Sequence, residues 1–531
     1  MIFTNLSDRF IGLTLPPLPA KSGYYQPLLL SLIVIIGLAI AWLPPSITAL
    51  LLAGLILGRL LLSWPILSLY LLIPLIPFSS LLAVPVGGVR VGLMEISLAL
   101  GLLAALLYLS VNKRLPVIEQ IESRSPHFFW PFILFLGGVS LSWLNTLSVG
   151  ASLVETAKWL EMLALYLLLI AFLPHRQLKW VVTLILITGS AQALIGLYQF
   201  IFKVGPPGFL LFGGRFLRAY GTFAQPNPYA GYLGLILPLA LALLIWQLLE
   251  CVKFAKSSSE TQNFKLNVVR LVLLGGTFGL LLAALLATQS RGAWLAFAAA
   301  AGAVIIGRSR RPGLLLALLL GGGATIGLAG AFDWNLRQSE SVQTDSALGI
   351  ITQRFVDAAT IANLSDIGTI EVTDANFATL ERLAHWQAAR EMWRDHPWLG
   401  VGFGTYAVIY PAYASGRWLD PLGHAHNYLL NIGAETGLIG IMGYLIFWIY
   451  AFKVIWSAVK SSAGINRAIA IGCFGTLVHF HIHNLFDNLY VQGMYLYIAL
   501  ILAIISLIHH TPATGPDRTG TRGVQRIVKE I

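Results

Sequence analysis

The chain is 531 residues long, with 57% apolar and only 11% charged residues, a balance that excludes an ordinary soluble domain and indicates a polytopic membrane protein. The formal net charge is +11. Because the basic residues are scattered through short connections and form no aromatic-lined stripe, we expect membrane lipids as surroundings and no nucleic-acid partner.

Apolar runs long enough to cross a bilayer follow one another along most of the chain. Residues 1–27 form an irregular leader, and we expect the run after it to be a retained membrane helix rather than a cleaved signal peptide. The pattern predicts an all-α bundle of about 12 to 14 membrane helices. The apolar runs lie near residues 28–43, 46–62, 66–83, 92–110, 128–144, 152–173, 179–202, 228–250, 270–288, 291–307, 313–331, 426–452, 466–483 and 489–508.

One long polar segment divides this series of helices. The sequence therefore predicts four parts: an N-terminal membrane bundle at 1–332, a loop at 333–424, C-terminal membrane helices at 425–510, and a basic tail at 511–531. Within the loop, Phe377 to His396 has a broad apolar side and ends before Pro397, which predicts an amphipathic helix. Such a helix either lies on the membrane as a lid or packs on the bundle.

The distribution of positive charge predicts the orientation. With a cytoplasmic N-terminus, 22 of the 34 Lys and Arg residues fall on the cytoplasmic side, as the positive-inside rule requires. Both termini are then cytoplasmic and the 333–424 loop is extracytoplasmic. The loop around Arg218, the turn before Arg291 and the beginning of the helix at His426 share that outer face.

Arg291 lies between two apolar runs joined by almost no loop. An arginine at this depth is costly unless something neutralises it, either a structural partner or a bound anion. Arg218 has a similar position, whereas Arg215 is expected to meet lipid phosphates. The glycine-rich stretch 399–404 has no Walker lysine and no βαβ context, so it predicts a tight turn rather than a nucleotide loop.

His426 is placed at the beginning of the next membrane helix. Its imidazole either acts as a general base or caps a helix at the interface. On a helical wheel Gly433 and Gly437 fall on the same face as His426, which would allow another helix to approach closely.

A second polar group ends the following helix. His479, His483 and Asp487 are spaced at i, i+4 and i+8, so they would share a face and could hold a divalent metal. Hydrogen bonding at the mouth of the site is the alternative role for His483 and Asp487.

Four separated motifs resemble the O-antigen ligase and O-antigen polymerase superfamily, in the order in which that family carries them, across roughly residues 180–500. The motifs are Arg218-Ala-Tyr-Gly-Thr-Phe with Pro226-Asn227, Ser290-Arg291-Gly-Ala, Trp393 with His396-Pro397-Trp398-Leu-Gly400-Val-Gly402, and His426-Asn427 with Glu435-Thr-Gly437 and Gly440.

This resemblance implies a GT-C-like membrane glycosyltransferase at the periplasmic face of the bacterial inner membrane. The donor would be a glycan on undecaprenyl diphosphate, and the acceptor a hydroxyl of a lipid, a glycan or a protein. The family's base matches His426, and its two diphosphate-binding arginines match Arg218 and Arg291. We expect support from neighbouring polar residues, namely Asn427, Glu435, His483, Asp487, His424 and Arg215.

The sequence favours a metal-independent reaction without a cofactor. Many glycosyltransferases hold a metal with an Asp-x-Asp element, which is absent from this chain, and two guanidiniums can stabilise a departing diphosphate instead. Two other functions stay open: an anion or inorganic-carbon transporter, and a non-catalytic component of polysaccharide assembly.

Overall fold

A computed structural model of the chain describes residues 65–79, 83–86, 89–112, 127–211, 214–255, 261–309, 311–313 and 377–509, with positions 31, 37, 44, 46–49, 52–54, 81 and 372. The chain divides into two compact units, Met1–Ser63 and Trp64–Ile531, and the second contains everything described below. The helices predicted at 28–43, 46–62 and 313–331 lie largely outside the described residues. The part boundaries predicted at 332 and 510 lie outside them too and stay predictions.

Helices make up most of the described second unit. They are α1 (Pro65–Leu75), α2 (Leu93–Asn112), α3 (Phe129–Ser142), α4 (Val149–Phe172), α5 (Leu178–Phe202), α6 (Pro226–Ala255), α7 (Thr261–Ala287), α8 (Arg291–Arg308), α9 (Phe377–Asp395), α10 (Tyr406–Ile409), α11 (Tyr428–Ser461), α12 (Gly464–His483) and α13 (Met494–His509). Two small antiparallel hairpins pair β1 (Ala83–Val86) with β2 (Val89–Gly92) and β3 (Leu210–Leu211) with β4 (Phe216–Leu217).

Several of the apolar runs form membrane-length helices. Among the described residues, five helices are long and apolar enough to cross a bilayer, namely α5, α6, α7, α11 and α12. Shorter apolar helices lie at α1, α2, α3 and α13. The prediction of an all-α polytopic membrane protein is therefore confirmed. The run predicted at 66–83 is broken near its prolines, Pro74 and Pro77: α1 ends at Leu75 and the chain continues into a short 3-10 turn and the β1–β2 hairpin.

Small residues allow the helices around the core to approach closely. On α12, a Cβ at Gly472 would lie 2.7 Å from the Cα of Leu239 on α6. On α3, a Cβ at Gly138 would lie 3.0 Å from the Cα of Gly440 on α11. Because lipid provides no hydrophobic drive for helix association, such close packing is a main source of stability in membrane bundles.

Helix α11 is interrupted one third of the way along. Gly437 has φ 62° and ψ −162°, which breaks the helical path. The backbone of the preceding loop fills the break: Leu438 N–H donates to Pro397 O (2.8 Å), and Val401 N–H donates to Ala434 O (2.9 Å). The 399–404 stretch is thus a tight turn, as predicted. Gly437 does not serve helix-to-helix contact as expected, because the Trp398–Leu399 backbone occupies the space beside it.

The amphipathic helix of the long loop is α9, within one residue of its predicted limits. It packs on the bundle rather than standing apart, since the Trp393 ring lies directly against Gly433 of α11. Its other buried side chains contact the segment before α11: His385 Nδ1 lies 2.9 Å from the Tyr406 hydroxyl, and the His385 ring stacks on Tyr410 at 4.5 Å.

Candidate functional site

Four segments that are far apart in sequence meet at one end of the bundle. They are the loop after β4, the α7–α8 turn, the residues before α11 and the loop after α12. We call the polar side chains that they bring together the site cluster, which consists of Arg218, Arg291, His424, His426 and Asp487.

His426 lies outside the helix on whose face it was predicted. Asn427 is the N-cap of α11, with its side-chain oxygen accepting from Leu430 N–H (3.1 Å), so the helix begins at Tyr428. His426 itself adopts φ 51°, a left-handed conformation that is uncommon for a residue with a side chain and frequent at functional sites. The prediction that His426, Gly433 and Gly437 share one continuous helical face is therefore wrong, because His426 precedes the cap and Gly437 breaks the helix.

The imidazole of His426 is paired with a carboxylate. Its Nδ1 lies 3.6 Å from Asp487 Oδ1. Among the described residues neither ring nitrogen of His426 has a hydrogen-bond partner, although both are shielded from solvent. Since Nδ1 faces Asp487, Nε2 is the nitrogen left for another group.

His424 differs in the use of its nitrogens. Its Nδ1 accepts the backbone N–H of His426 (3.1 Å), and its Nε2 lies 3.9 Å from Asp487. Burial and the charge of His426 lower the pKa of His424 to about 3, so it is neutral near pH 7. Burial alone would raise the pKa of Asp487, but His426, His424 and His483 around it lower that pKa, so the carboxyl is ionised. This geometry favours His426 as the proton acceptor.

Arg218 is fixed between two segments. Its Nε donates to Thr288 O (2.9 Å) and one terminal nitrogen donates to Asn227 Oδ1 (2.7 Å). Burial, and then the positive charge of Arg382, lower its pKa to about 10, so it stays protonated at neutral pH. Asp487 and Arg291 also act on it electrostatically, which brings the loop after β4 into the site cluster.

Arg291 is the first residue of α8, after the N-cap Ser290. A cation at the positive end of a helix dipole is unfavourable unless other groups compensate for it, and the backbone N–H groups at such an end can themselves bind an anion. The next residue, Gly292, packs on the loop after α12: a Cβ there would lie 3.1 Å from Phe486 Cβ. Asp487 follows Phe486, so the start of α8 and the carboxylate belong to one site.

The predicted histidine face does not form the cluster. His479 and His483 are buried against Gly234 and Gly231 of α6, with their ring centroids 5.4 Å apart. Helix α12 ends at His483, and Asp487 N–H donates to His483 O (3.1 Å), so Asp487 lies one turn beyond the end of the helix. Within the described part of the chain, the groups that could share a metal ion are instead His424, His426 and Asp487, whose ligand atoms lie within 4.8 Å of one another.

Other predicted supporting residues have different positions. Glu435 is buried at the break in α11, where its carboxylate accepts Tyr406 N–H (3.0 Å) and so anchors the loop. Arg215 is exposed at the β3–β4 turn, with its guanidinium 5.4 Å from the Phe216 ring centroid.

Sequence reasoning missed two partners of Arg218. Asn227 belongs to the motif that contains Arg218, but no role was predicted for it. The other partner is the backbone carbonyl of Thr288, and a backbone group cannot be recognised from the sequence.

Comparison with known families adds an independent result. Residues 276–445 match the family described as O-antigen ligase, a range that includes Arg291, α9, His424 and His426. Arg218 precedes the matched range and Asp487 follows it. A comparison with curated proteins found no match. The chain therefore carries, within an all-α polytopic membrane protein, a domain of the O-antigen ligase family at residues 276–445.

Proposed function

We propose that this protein transfers a glycan from undecaprenyl diphosphate to an acceptor hydroxyl, at the periplasmic face of the bacterial inner membrane. Handling of glycans at a membrane is the function of the O-antigen ligase type. Beyond this general function, we propose that undecaprenyl diphosphate carries the donor glycan, that transfer inverts the anomeric centre, and that the reaction needs no metal. The observation that carries it is the convergence of a His–Asp pair with Arg218 and Arg291 from four segments.

In the proposed reaction His426 is the general base. Its Nε2 accepts the proton of the acceptor hydroxyl, while Asp487 beside Nδ1 stabilises the imidazolium that forms. The acceptor oxygen then bonds to the anomeric carbon from the face opposite the leaving group. The bond from that carbon to the diphosphate oxygen breaks, and its electron pair stays on the diphosphate. A single displacement of this kind inverts the anomeric centre.

The arginines meet the charge that develops on the leaving group. A guanidinium offers paired N–H donors that match phosphate oxygens, and a partly buried site strengthens each contact. Arg218 is already oriented by Thr288 and Asn227, so little reorganisation accompanies the reaction. Undecaprenyl diphosphate is the donor class that combines such an anion with a membrane-embedded chain.

The test starts from the product. The mass of the glycoconjugate lost on gene deletion identifies donor and acceptor, and purified protein should then rebuild it from the lipid-linked glycan. His426→Ala should reduce transfer by about 10² to 10⁴. His424→Ala is the matched control two residues away, and its loss should be much smaller. Transfer that survives in His426→Ala, or anion uptake into proteoliposomes without transfer, would contradict the proposal.

A further inference from the structure

The extramembrane helix α9 has a stripe of residues that faces the bundle. Arg382, Trp386, Ala389 and Trp393 recur at helical spacing, and the last of them packs on Gly433 of α11. Arg382 is about 17 Å away along the helix, at 1.5 Å per residue. One end of α9 is therefore anchored on α11, and the other end extends toward the site cluster.

Arg382 contacts the loop that carries Asp487. Its Nε donates to Phe486 O (3.1 Å), one residue before Asp487. The side chain of Phe486 lies on Gly292, beside Arg291. Arg382 thus stands where the end of α12 meets the start of α8. Its positive charge also lowers the pKa of Arg218, and it does so more than the charge of Arg291 does.

Three guanidiniums therefore share one small region. Asp487 acts electrostatically on Arg218, and Glu381 lies beside Arg382. Guanidiniums that repel one another at a partly buried place are stabilised by a multivalent anion. A diphosphate has oxygens on two phosphorus atoms, enough to accept from three forks.

We propose that Arg382 is a third binding residue for the donor diphosphate, supplied to the membrane site by α9. This inference rests on the proposed function. Its contact with Phe486 O orients the guanidinium plane, and the docking of Trp393 on Gly433 sets the position of the helix. The extramembrane segment then completes the donor site.

The experiment measures binding by the purified full-length protein in detergent. The probes are undecaprenyl diphosphate and undecaprenyl monophosphate, neither carrying a glycan. Arg382→Gln should bind the diphosphate about tenfold more weakly or worse, as expected for the loss of one charge-assisted contact. Arg390→Gln, an exposed arginine of the same helix, is the matched control and should bind like the wild type.

Arg382→Lys separates ligand binding from loop support. Lysine keeps the charge and a donor for Phe486 O but lacks the fork, so its affinity should fall between wild type and Arg382→Gln. If Arg382→Gln does not fold, the diphosphate affinity of Arg382→Lys alone tests whether Arg382 binds the donor. A purely structural role predicts reduced turnover with unchanged diphosphate affinity, and that result would overturn the inference alone. A wild-type protein that does not prefer the diphosphate over the monophosphate would overturn the proposed function itself.

Discussion

At the scale of single residues, the difference between His424 and His426 comes from what surrounds each ring nitrogen. The backbone occupies Nδ1 of His424, and burial keeps that ring neutral. His426 has a carboxylate beside one nitrogen and the other available. Two identical side chains, separated by one residue, therefore have different chemistry. The left-handed backbone of His426 turns its ring toward Asp487 instead of continuing the helix.

The same three side chains lead to a prediction about metals. His424, His426 and Asp487 could bind Zn²⁺. A metal there would occupy a ring nitrogen of His426 and the carboxylate of Asp487, and the proposed mechanism uses both residues. We therefore expect EDTA to leave glycan transfer nearly intact, and added Zn²⁺ to inhibit it. His424→Ala removes one ligand, so the inhibitory zinc concentration should rise at least severalfold in that variant. Titration of transfer with each reagent measures both effects.

Loss of transfer in EDTA that manganese or zinc restores would mean that the cluster holds a metal required by the reaction. In that case the arginines alone would not stabilise the leaving group, and His426 would be a ligand rather than a base.

At the scale of elements, the break in α11 positions the beginning of that helix. The Pro397–Gly402 loop supplies backbone partners for both halves, and Asn145 adds a bond to Gly400 O (2.8 Å). The loop, the segment after α3 and α11 are thereby held together. A site made of backbone-fixed turns can keep a strained histidine in place.

Gly437→Ala should destabilise the protein. Residues with side chains rarely adopt φ 62° with ψ −162°, at a cost of about 1 to 3 kcal/mol, and the new methyl would overlap the Trp398–Leu399 backbone. We expect a lower midpoint of thermal unfolding in detergent and weaker protection of α11 amides from hydrogen exchange.

Gly276→Ala on α7 is the control for that substitution. A Cβ there meets nothing within 4 Å, and alanine favours the helix over glycine, so the midpoint should stay or rise. Equal midpoints for the two variants would show that the break does not depend on glycine.

Sequence periodicity located the elements but not the contacts between them. Runs predicted at 179–202 and 466–483 correspond to α5 (Leu178–Phe202) and α12 (Gly464–His483), because a bilayer demands long apolar stretches. The insertion of a loop into α11 left no such signal, since it uses backbone groups that every residue carries. A helical wheel groups His479, His483 and Asp487, but the ligand atoms within 4.8 Å of one another belong to Asp487, His424 and His426, and a wheel of one helix cannot show contacts with another segment.

At the scale of the whole molecule, the site depends on segments beyond the family-matched region. Residues 276–445 contain His426 and Arg291, while Arg218 and Asp487 lie on either side of that range. Backbone contacts join the parts: Ala219 N–H donates to Ala287 O (3.0 Å), and Tyr428 N–H donates to Asn484 O (2.8 Å). The matched domain alone would lack one arginine and the carboxylate partner of His426. The chain must fold as one bundle before the site cluster exists.

The orientation of that bundle decides whether the site meets a periplasmic acceptor. With 22 of 34 basic residues assigned to the cytoplasm, we expect the start of α11 to face outward and its end to face inward. Ala412 and Ala463 are exposed before and after α11, and both native cysteines are buried and should not react. In spheroplasts, a membrane-impermeant maleimide should label Ala412→Cys and leave Ala463→Cys unlabelled until detergent is added. Labelling of Ala463→Cys alone would place His426 in the cytoplasm, away from any periplasmic glycan acceptor, and the proposed reaction would have to be abandoned.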